Sequence, residues 1–235
     1  MNKTNWLNYW DKKNIWTLSS LWRKNIDLFF RKTSNILNYD KRNTVLDIGC
    51  GNGEFASKII SKVDKVFCVD TSQEYINACK NRFSNIKNIN VLKLNDNYTD
   101  LSFIKDTKFS IIIANSVVQY YNSQNEILDL VKSVQKISTE DARFLISDIE
   151  VLREKRSNLR LIYNSIINGY FFSLIKMGFK LSLNKEYSET IKKQPLLTVN
   201  LDKLVQDLSI FVKKVSIINE NITINVNRKH LLIQL

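Results

Sequence analysis

Five glycines occur in 235 residues, and three of them, Gly49, Gly51 and Gly53, fall within five positions. Glycine admits positive φ and lets another group approach the main chain closely. A chain this poor in glycine that gathers three together has a backbone there that other residues would not tolerate. Before them, residues 44–48 (Thr-Val-Leu-Asp-Ile) form a short apolar run that reads as a buried strand. After them, residues 54–62 carry Phe55, Ile59 and Ile60 at helical spacing. Strand, glycine turn and helix in that order leave free backbone N–H groups and the positive helix end at the strand's carboxyl edge, where anions bind.

The pattern then repeats without further glycine. Residues 65–69 read as a second buried strand closed by Asp70, and residues 73–83 as a helix with Tyr75, Ile76, Cys79 and Phe83 on one side. Residues 90–94 are a third strand followed by the polar turn Asn95-Asp96-Asn97. Residues 109–114 are a fourth, residues 126–137 an amphipathic helix, and residues 143–147 a fifth strand. Strands alternating with helices imply right-handed crossovers and a parallel sheet covered on both faces. Residues 151–181 read as one or two helices, 182–200 as irregular, and 201–211 as a short helix. Two strand-like runs, 212–224 and 230–235, lie too close for a helix between them and predict an antiparallel pair at the sheet edge. The expected organisation is a helical amino-terminal segment (1–43), an α/β core (44–150), a helical insertion (151–211) and terminal strands that complete the core sheet (212–235).

Apolar residues at 44% and charged residues at 25% suit a globular chain and exclude disorder. Three cysteines, Cys50, Cys68 and Cys79, cannot all pair and sit in apolar or helical segments, so a reducing, cytoplasmic setting and no disulfide framework are expected. No secretory h-region is visible. The most apolar stretch, 159–181, is broken by Arg160, Asn164, Asn168, Lys176 and Lys180, so no transmembrane span is predicted. The net charge of +12 divides into +6 for residues 1–43, −2 for 44–150 and +8 for 151–235. Basic flanks face an anionic partner, or reflect a composition that favours Lys and Asn at exposed positions.

The spacing of Asp47-Ile-Gly49-Cys-Gly51-Asn-Gly53 differs from the dinucleotide fingerprint G-x-G-x-x-G. With its acid two residues before the first glycine, the string Val45 to Glu54 resembles the first motif of class I S-adenosylmethionine-dependent methyltransferases. The resemblance covers about residues 44–147 plus the last strands. It implies a Rossmann-like, seven-stranded, mostly parallel sheet with an antiparallel last strand, a helical amino-terminal lid and a helical insertion before the last hairpin. It also implies S-adenosylmethionine as cofactor and no metal. Cofactor contacts carried over residue by residue are Asp47, Gly49, Cys50 (through its backbone), Gly51 and Gly53 in the first motif. Asp70 with Thr71 matches the ribose site, Asp96 with Asn97 the adenine site, and Asn115 the fourth motif beside the methionine part.

Each of these acids also has an ordinary reading as a turn cap. Cys68 and Cys79 read as core. His230, the one histidine, lies far in sequence from the motif and is not expected to be a base. Tyr120 and Tyr121, after the fourth strand, and Tyr9, in the amino-terminal segment that holds all four tryptophans, are the polar groups best placed to meet a nucleophile. Of these, Tyr9 and Tyr120 are the catalytic candidates. The expected substrate is a small, anionic metabolite (phosphorylated, carboxylated, or nucleotide- or sugar-linked) methylated on oxygen or nitrogen. Charge-neutralising substitutions in the flanks would then raise its Michaelis constant. RNA methylation is the alternative the charge favours, although Ala114-Asn-Ser-Val117 lacks the Asn/Asp-Pro-Pro-aromatic string of amine-directed nucleic-acid enzymes. A non-catalytic scaffold, a homodimer, and a surface helix on a membrane over 159–181 are further readings.

Overall fold

Strands that lie between two helical layers need apolar side chains on both faces, so their sequences run apolar without alternation. β1 (Thr44–Ile48), β2 (Lys65–Asp70), β4 (Phe109–Asn115) and the later part of β5 (Ser138–Ile149) have that character, whereas β3 (Ile89–Lys93), at the sheet edge, has no buried residue. The computed structural model describes residues 5–12, 20–95, 97–152 and 158–235. With β6 (Lys214–Ile218) and β7 (Lys229–Gln234), these strands form one seven-stranded sheet of order β3-β2-β1-β4-β5-β7-β6. All neighbouring pairs are parallel except those of β7, which runs antiparallel to both β5 and β6. The sheet is thus the expected mostly parallel, Rossmann-like one.

The helices among the described residues are α1 (Asn5–Trp10), α2 (Ser20–Leu37), α3 (Glu54–Ile59), α4 (Gln73–Arg82), α5 (Gln124–Lys136), α6 (Asn158–Ile167), α7 (Phe171–Leu183), α8 (Lys185–Lys193) and α9 (Leu201–Ser209). On one sheet face Leu46, Ile48, Ile112 and Phe144 pack with Leu130 of α5 and Leu204 of α9. On the other, Val45, Ile111 and Leu145 pack with Phe29 of α2, Phe55 of α3 and Cys79 of α4. Burial of α2 at Ile26, Phe29, Thr33 and Leu37 follows the three-to-four residue spacing of one helix face. The Ser72 hydroxyl caps α4 by accepting from the Tyr75 N–H at 3.1 Å.

Two expectations need correction. Residues 182–200, read as irregular, contain α8, which begins where the Asn184 side chain accepts from the Tyr187 N–H at 2.8 Å. The run 212–224 is a strand only over β6; beyond it Ile222 is buried in the α2 side of the core from a loop. The stretch 151–181, read as one or two helices, holds two among the described residues, with Gly169 at φ +68 between α6 and α7.

Candidate active site

Because β1 lies between β2 and β4, the chain builds the sheet outward to β2 and β3 on one side and then crosses to β4 on the other, which opens a crevice at the strands' carboxyl ends. The glycine loop after β1 sits in that crevice. Gly51, at φ +55, donates its N–H to Asp70 Oδ2 at 2.9 Å, and the Ser72 N–H donates to Asp70 Oδ1 at 2.8 Å. Burial pushes the Asp70 carboxyl up to about 6, against the pull of these backbone donors. A Cβ on Gly51 would meet nothing within 4 Å, whereas one on Gly53 (φ +76) would meet Phe83 Cε2 at 2.5 Å and Cys79 Sγ at 2.8 Å. The loop therefore keeps one face open at Gly51 and packs the other against α4 at Gly53.

A cavity of about 590 Å³ occupies the crevice, within the roughly 300–1,000 Å³ usual for ligand sites. Gly49, Gly51, Asp70, Thr71 and Asn115 all line it, as does Tyr120. Asn115 is held by the Ser147 hydroxyl, which donates to its Oδ1 at 2.6 Å. Other predicted residues stand apart from the lining. Asp47 is buried beneath the loop, with Oδ2 lacking a hydrogen-bond partner among the described residues. Burial holds its carboxyl well above the usual range, and Cys79 and Asp70 add to this. Cys50 and Gly53 face the α4 side, Asn97 is exposed, and Asp96 lies outside the described residues.

Tyr9 also needs correction as a contact residue. Its ring packs among Trp6, Trp10 and Tyr187 at centroid distances of 5.7, 5.1 and 5.9 Å, behind the lining rather than in it. The cluster continues to Tyr120, 5.0 Å from Trp6 and 5.3 Å from Trp10. It is tied down where the Trp6 Nε1–H donates to the Gln194 carbonyl at 2.9 Å. Burial raises the Tyr120 hydroxyl far above its ordinary value, so it stays protonated and acts as a donor.

Several lining residues were not anticipated. Ser116 and Asp148 follow β4 and sit near the end of β5 at φ +59 and +64, conformations that cluster at functional sites. The Ser116 hydroxyl donates to Asp148 Oδ2 at 2.7 Å and the Thr223 hydroxyl to Oδ1 at 3.2 Å. The Asp148 N–H donates to His230 Nδ1 at 3.1 Å. Burial lowers His230 to about 4, with Asp148 opposing, so the imidazole is neutral and holds this corner in place. Arg228 reaches the cavity with its guanidinium 2.8 Å from Glu150, both side chains about a tenth exposed. Trp10 Nε1, Gln119 Oε1 and the Tyr121 hydroxyl are buried at the lining without partners among the described residues. Such groups are rare in folded chains, and a small shift of the lining would open them to a ligand or a water. The cysteines, read separately as core, converge: the three Sγ atoms lie within 4.8 Å of one another under the glycine loop.

The profile of the Methyltransferase domain family matches residues 39–194. The chain belongs to this family. N-methyltransferase NodS from Bradyrhizobium japonicum, solved in complex with S-adenosyl-L-homocysteine, superposes at TM-score 0.60 over 100% of this chain and 98% of that one, with 12% identity. Magnesium protoporphyrin IX methyltransferase from Synechocystis, with bound S-adenosylhomocysteine, gives 0.54 over 98% and 92%, also at 12% identity. At such identities the likeness is one of fold, the class I methyltransferase fold. Chondramide synthase from Chondromyces crocatus is 28% identical over 112 residues, 46% of this chain and 3% of that protein. Ribosomal RNA small subunit methyltransferase A from Prochlorococcus marinus is 29% identical over 105 residues, 44% of this chain and 37% of that protein. The chain thus spans only a minor part of the curated relatives it matches.

Proposed function

We propose that this methyltransferase moves a methyl group from S-adenosylmethionine to an oxygen or nitrogen of a small molecule that joins an apolar body to an acidic group. The observation that carries the reading is one cavity with Asp70 and the open Gly51 on the strand-end side and an aromatic wall of Trp6, Trp10 and Tyr120. The residues fit the cofactor: Gly51 leaves room where a Cβ would intrude, and Asp47, buried beneath the loop with Oδ2 unpartnered among the described residues, sets an acid under it. When bound, the cofactor supplies an electrophilic methyl on a sulfonium. Asp70 accepts from ribose hydroxyls, Gly49, Gly51 and Thr71 line the cradle, and Asn115 borders the methionine end.

What remains for the protein is orientation and exclusion of water. Trp6, Trp10, Trp22, Leu174 and Met177 supply dry walls from the amino-terminal segment and the insertion. Arg228 is the one cation in the lining among the described residues; held by Glu150 at 2.8 Å, it keeps further N–H donors for the acceptor's acidic group. The basic flanks steer such a molecule inward. Tyr120 donates a hydrogen bond that fixes the acceptor atom. Calorimetry with S-adenosylmethionine on the wild type and Asp70→Ala tests the reading. Binding that is lost in the variant supports it, and a folded wild type that does not bind, with or without metabolite extract, refutes it. The net charge and the ribosomal RNA relative favour a second reading, RNA as acceptor. Salt-dependent retention on RNA, with methyl incorporation into it, would replace the first.

A further inference from the structure

Helices of a soluble domain turn their apolar face inward, and α6 and α7 depart from this rule. On α6, Leu159, Tyr163 and Ile166 follow i, i+4, i+7 spacing and all are exposed, Leu159 at 78%, while Ile162 beside them borders the cavity. Among the described side chains of α6 the buried one is Ser165, its hydroxyl donating to the Ile162 carbonyl at 2.6 Å. On α7, Phe172, Ile175, Phe179 and Leu183 make a second outward stripe, with Phe172 at 84% exposure. An apolar area this continuous on a soluble chain marks an interaction site.

Charge decides the partner. Between residues 158 and 183 the sequence has Arg160, Lys176 and Lys180 and no Asp or Glu. All three cations are exposed, and the two lysines sit beside the Phe172 and Phe179 stripe at helical spacing. Lys24, from α2, donates to the Gly169 carbonyl at 3.0 Å and adds a cation at the turn between the helices. Two copies meeting through this face would bring these cations together on chains that each carry +12. We propose that the outward faces of α6 and α7 dock on an anionic phospholipid surface, the apolar stripes entering the acyl boundary while Arg160, Lys176 and Lys180 reach the headgroups.

The opposite sides of the same helices, at Leu161, Leu174, Met177 and Leu181, line the cavity. Docking therefore places the acceptor chamber one helix away from the bilayer, where a molecule with an apolar body and an acidic group partitions. That last link rests on the proposed function; the docking itself does not.

The full chain is sedimented with phosphatidylcholine vesicles containing about one third phosphatidylglycerol, and with phosphatidylcholine alone, at about 0.1 M and about 0.5 M salt. Anionic vesicles should bind at least about tenfold more tightly, and the higher salt should weaken them. Phe172→Ser with Phe179→Ser should abolish pelleting, and Lys176→Gln with Lys180→Gln should weaken it about 25-fold, roughly fivefold per charge. Both residue pairs are exposed, and unchanged melting temperature and S-adenosylmethionine affinity will show that the variants are intact. A folded wild type that fails to pellet, or that binds both vesicles equally, overturns the proposal. So does a dimer in sedimentation velocity that the phenylalanine variant dissociates without any vesicle binding. Cofactor calorimetry reads the methyl-transfer proposal separately, so either can fail alone.

Discussion

Gly53→Ala and Gly51→Ala should separate folding from binding within one loop. At Gly53 the new methyl arrives 2.5 Å from Phe83 Cε2 and 2.8 Å from Cys79 Sγ, on a backbone at φ +76. A left-handed L-residue costs roughly 1–2 kcal/mol and an overpacked core about 1–3 kcal/mol. The expected loss is therefore about 2–5 kcal/mol, which at roughly 2–4 °C per kcal/mol for a chain of this size lowers Tm by about 10 °C. At Gly51 the backbone cost is similar, φ being +55, but the methyl meets nothing within 4 Å, so about 1–2 kcal/mol is lost. That methyl enters the cavity beside Asp70 and should weaken S-adenosylmethionine at least about tenfold, or 1.4 kcal/mol. Thermal melts read the first effect and calorimetry the second. Gly53→Ala should keep most of its affinity at a temperature where it is folded. If Gly51→Ala loses the more stability, or Gly53→Ala melts like wild type, the division of labour between the two glycines is wrong.

Further outcomes follow from the buried groups. Asp70 is raised from 3.8 to about 6, so folding favours its protonated form. The ligand-free protein should gain about 3 kcal/mol from this group as pH falls through about 6 towards 4, and Asp70→Asn should lack that gain in pH-dependent denaturation. Cofactor affinity should move the opposite way, falling about tenfold per pH unit below 6 as the carboxylate is lost. His230 is lowered from 6.5 to about 4, so its stability contribution is complete above about 6.5 and fades as pH drops to about 4. The wild type should lose about 3 kcal/mol relative to His230→Gln across that window; parallel curves would show that the imidazole is not held neutral. Tyr120→Phe should lower kcat by about tenfold, the worth of one buried hydrogen bond, and leave cofactor Kd unchanged. Because the hydroxyl stays protonated, the pH–rate profile below about 10 should show no limb that disappears in the variant.

The parallel strands were legible because burial on both faces writes continuous apolar runs, as in Ile111-Ile-Ile113 of β4. The glycine loop and Asp70 were legible for a related reason: a rare residue type, and an acid closing an apolar strand, each stand out locally. Helix α8 did not stand out. Its residues, Lys-Glu-Tyr-Ser-Glu-Thr-Ile-Lys-Lys, bury little beyond Thr190, and its start depends on the Asn184 cap. Ile222 and Ile224 misled in the other direction, since they are buried from a loop and mimic a longer β6. The cysteines could not be grouped from sequence. Cys68 opposes Asp47 only through the β1–β2 register, and Cys79 comes from a helix packed across them.

Asp148 is the instructive omission. Like Asp70 it is an acid at the carboxyl end of a buried strand, in Ser147-Asp-Ile-Glu150, and like Asp70 it has both oxygens held, here by Ser116 and Thr223. In a parallel sheet the carboxyl ends share one edge, so the argument that selected Asp70 applies equally to the strand ends at Asn115 and Asp148. The lining confirms that all three residues reach the same cavity. Family resemblance drew attention to the first two positions. The geometry of a parallel sheet alone would have included the third, and with it the Ser116–Asp148–His230 corner.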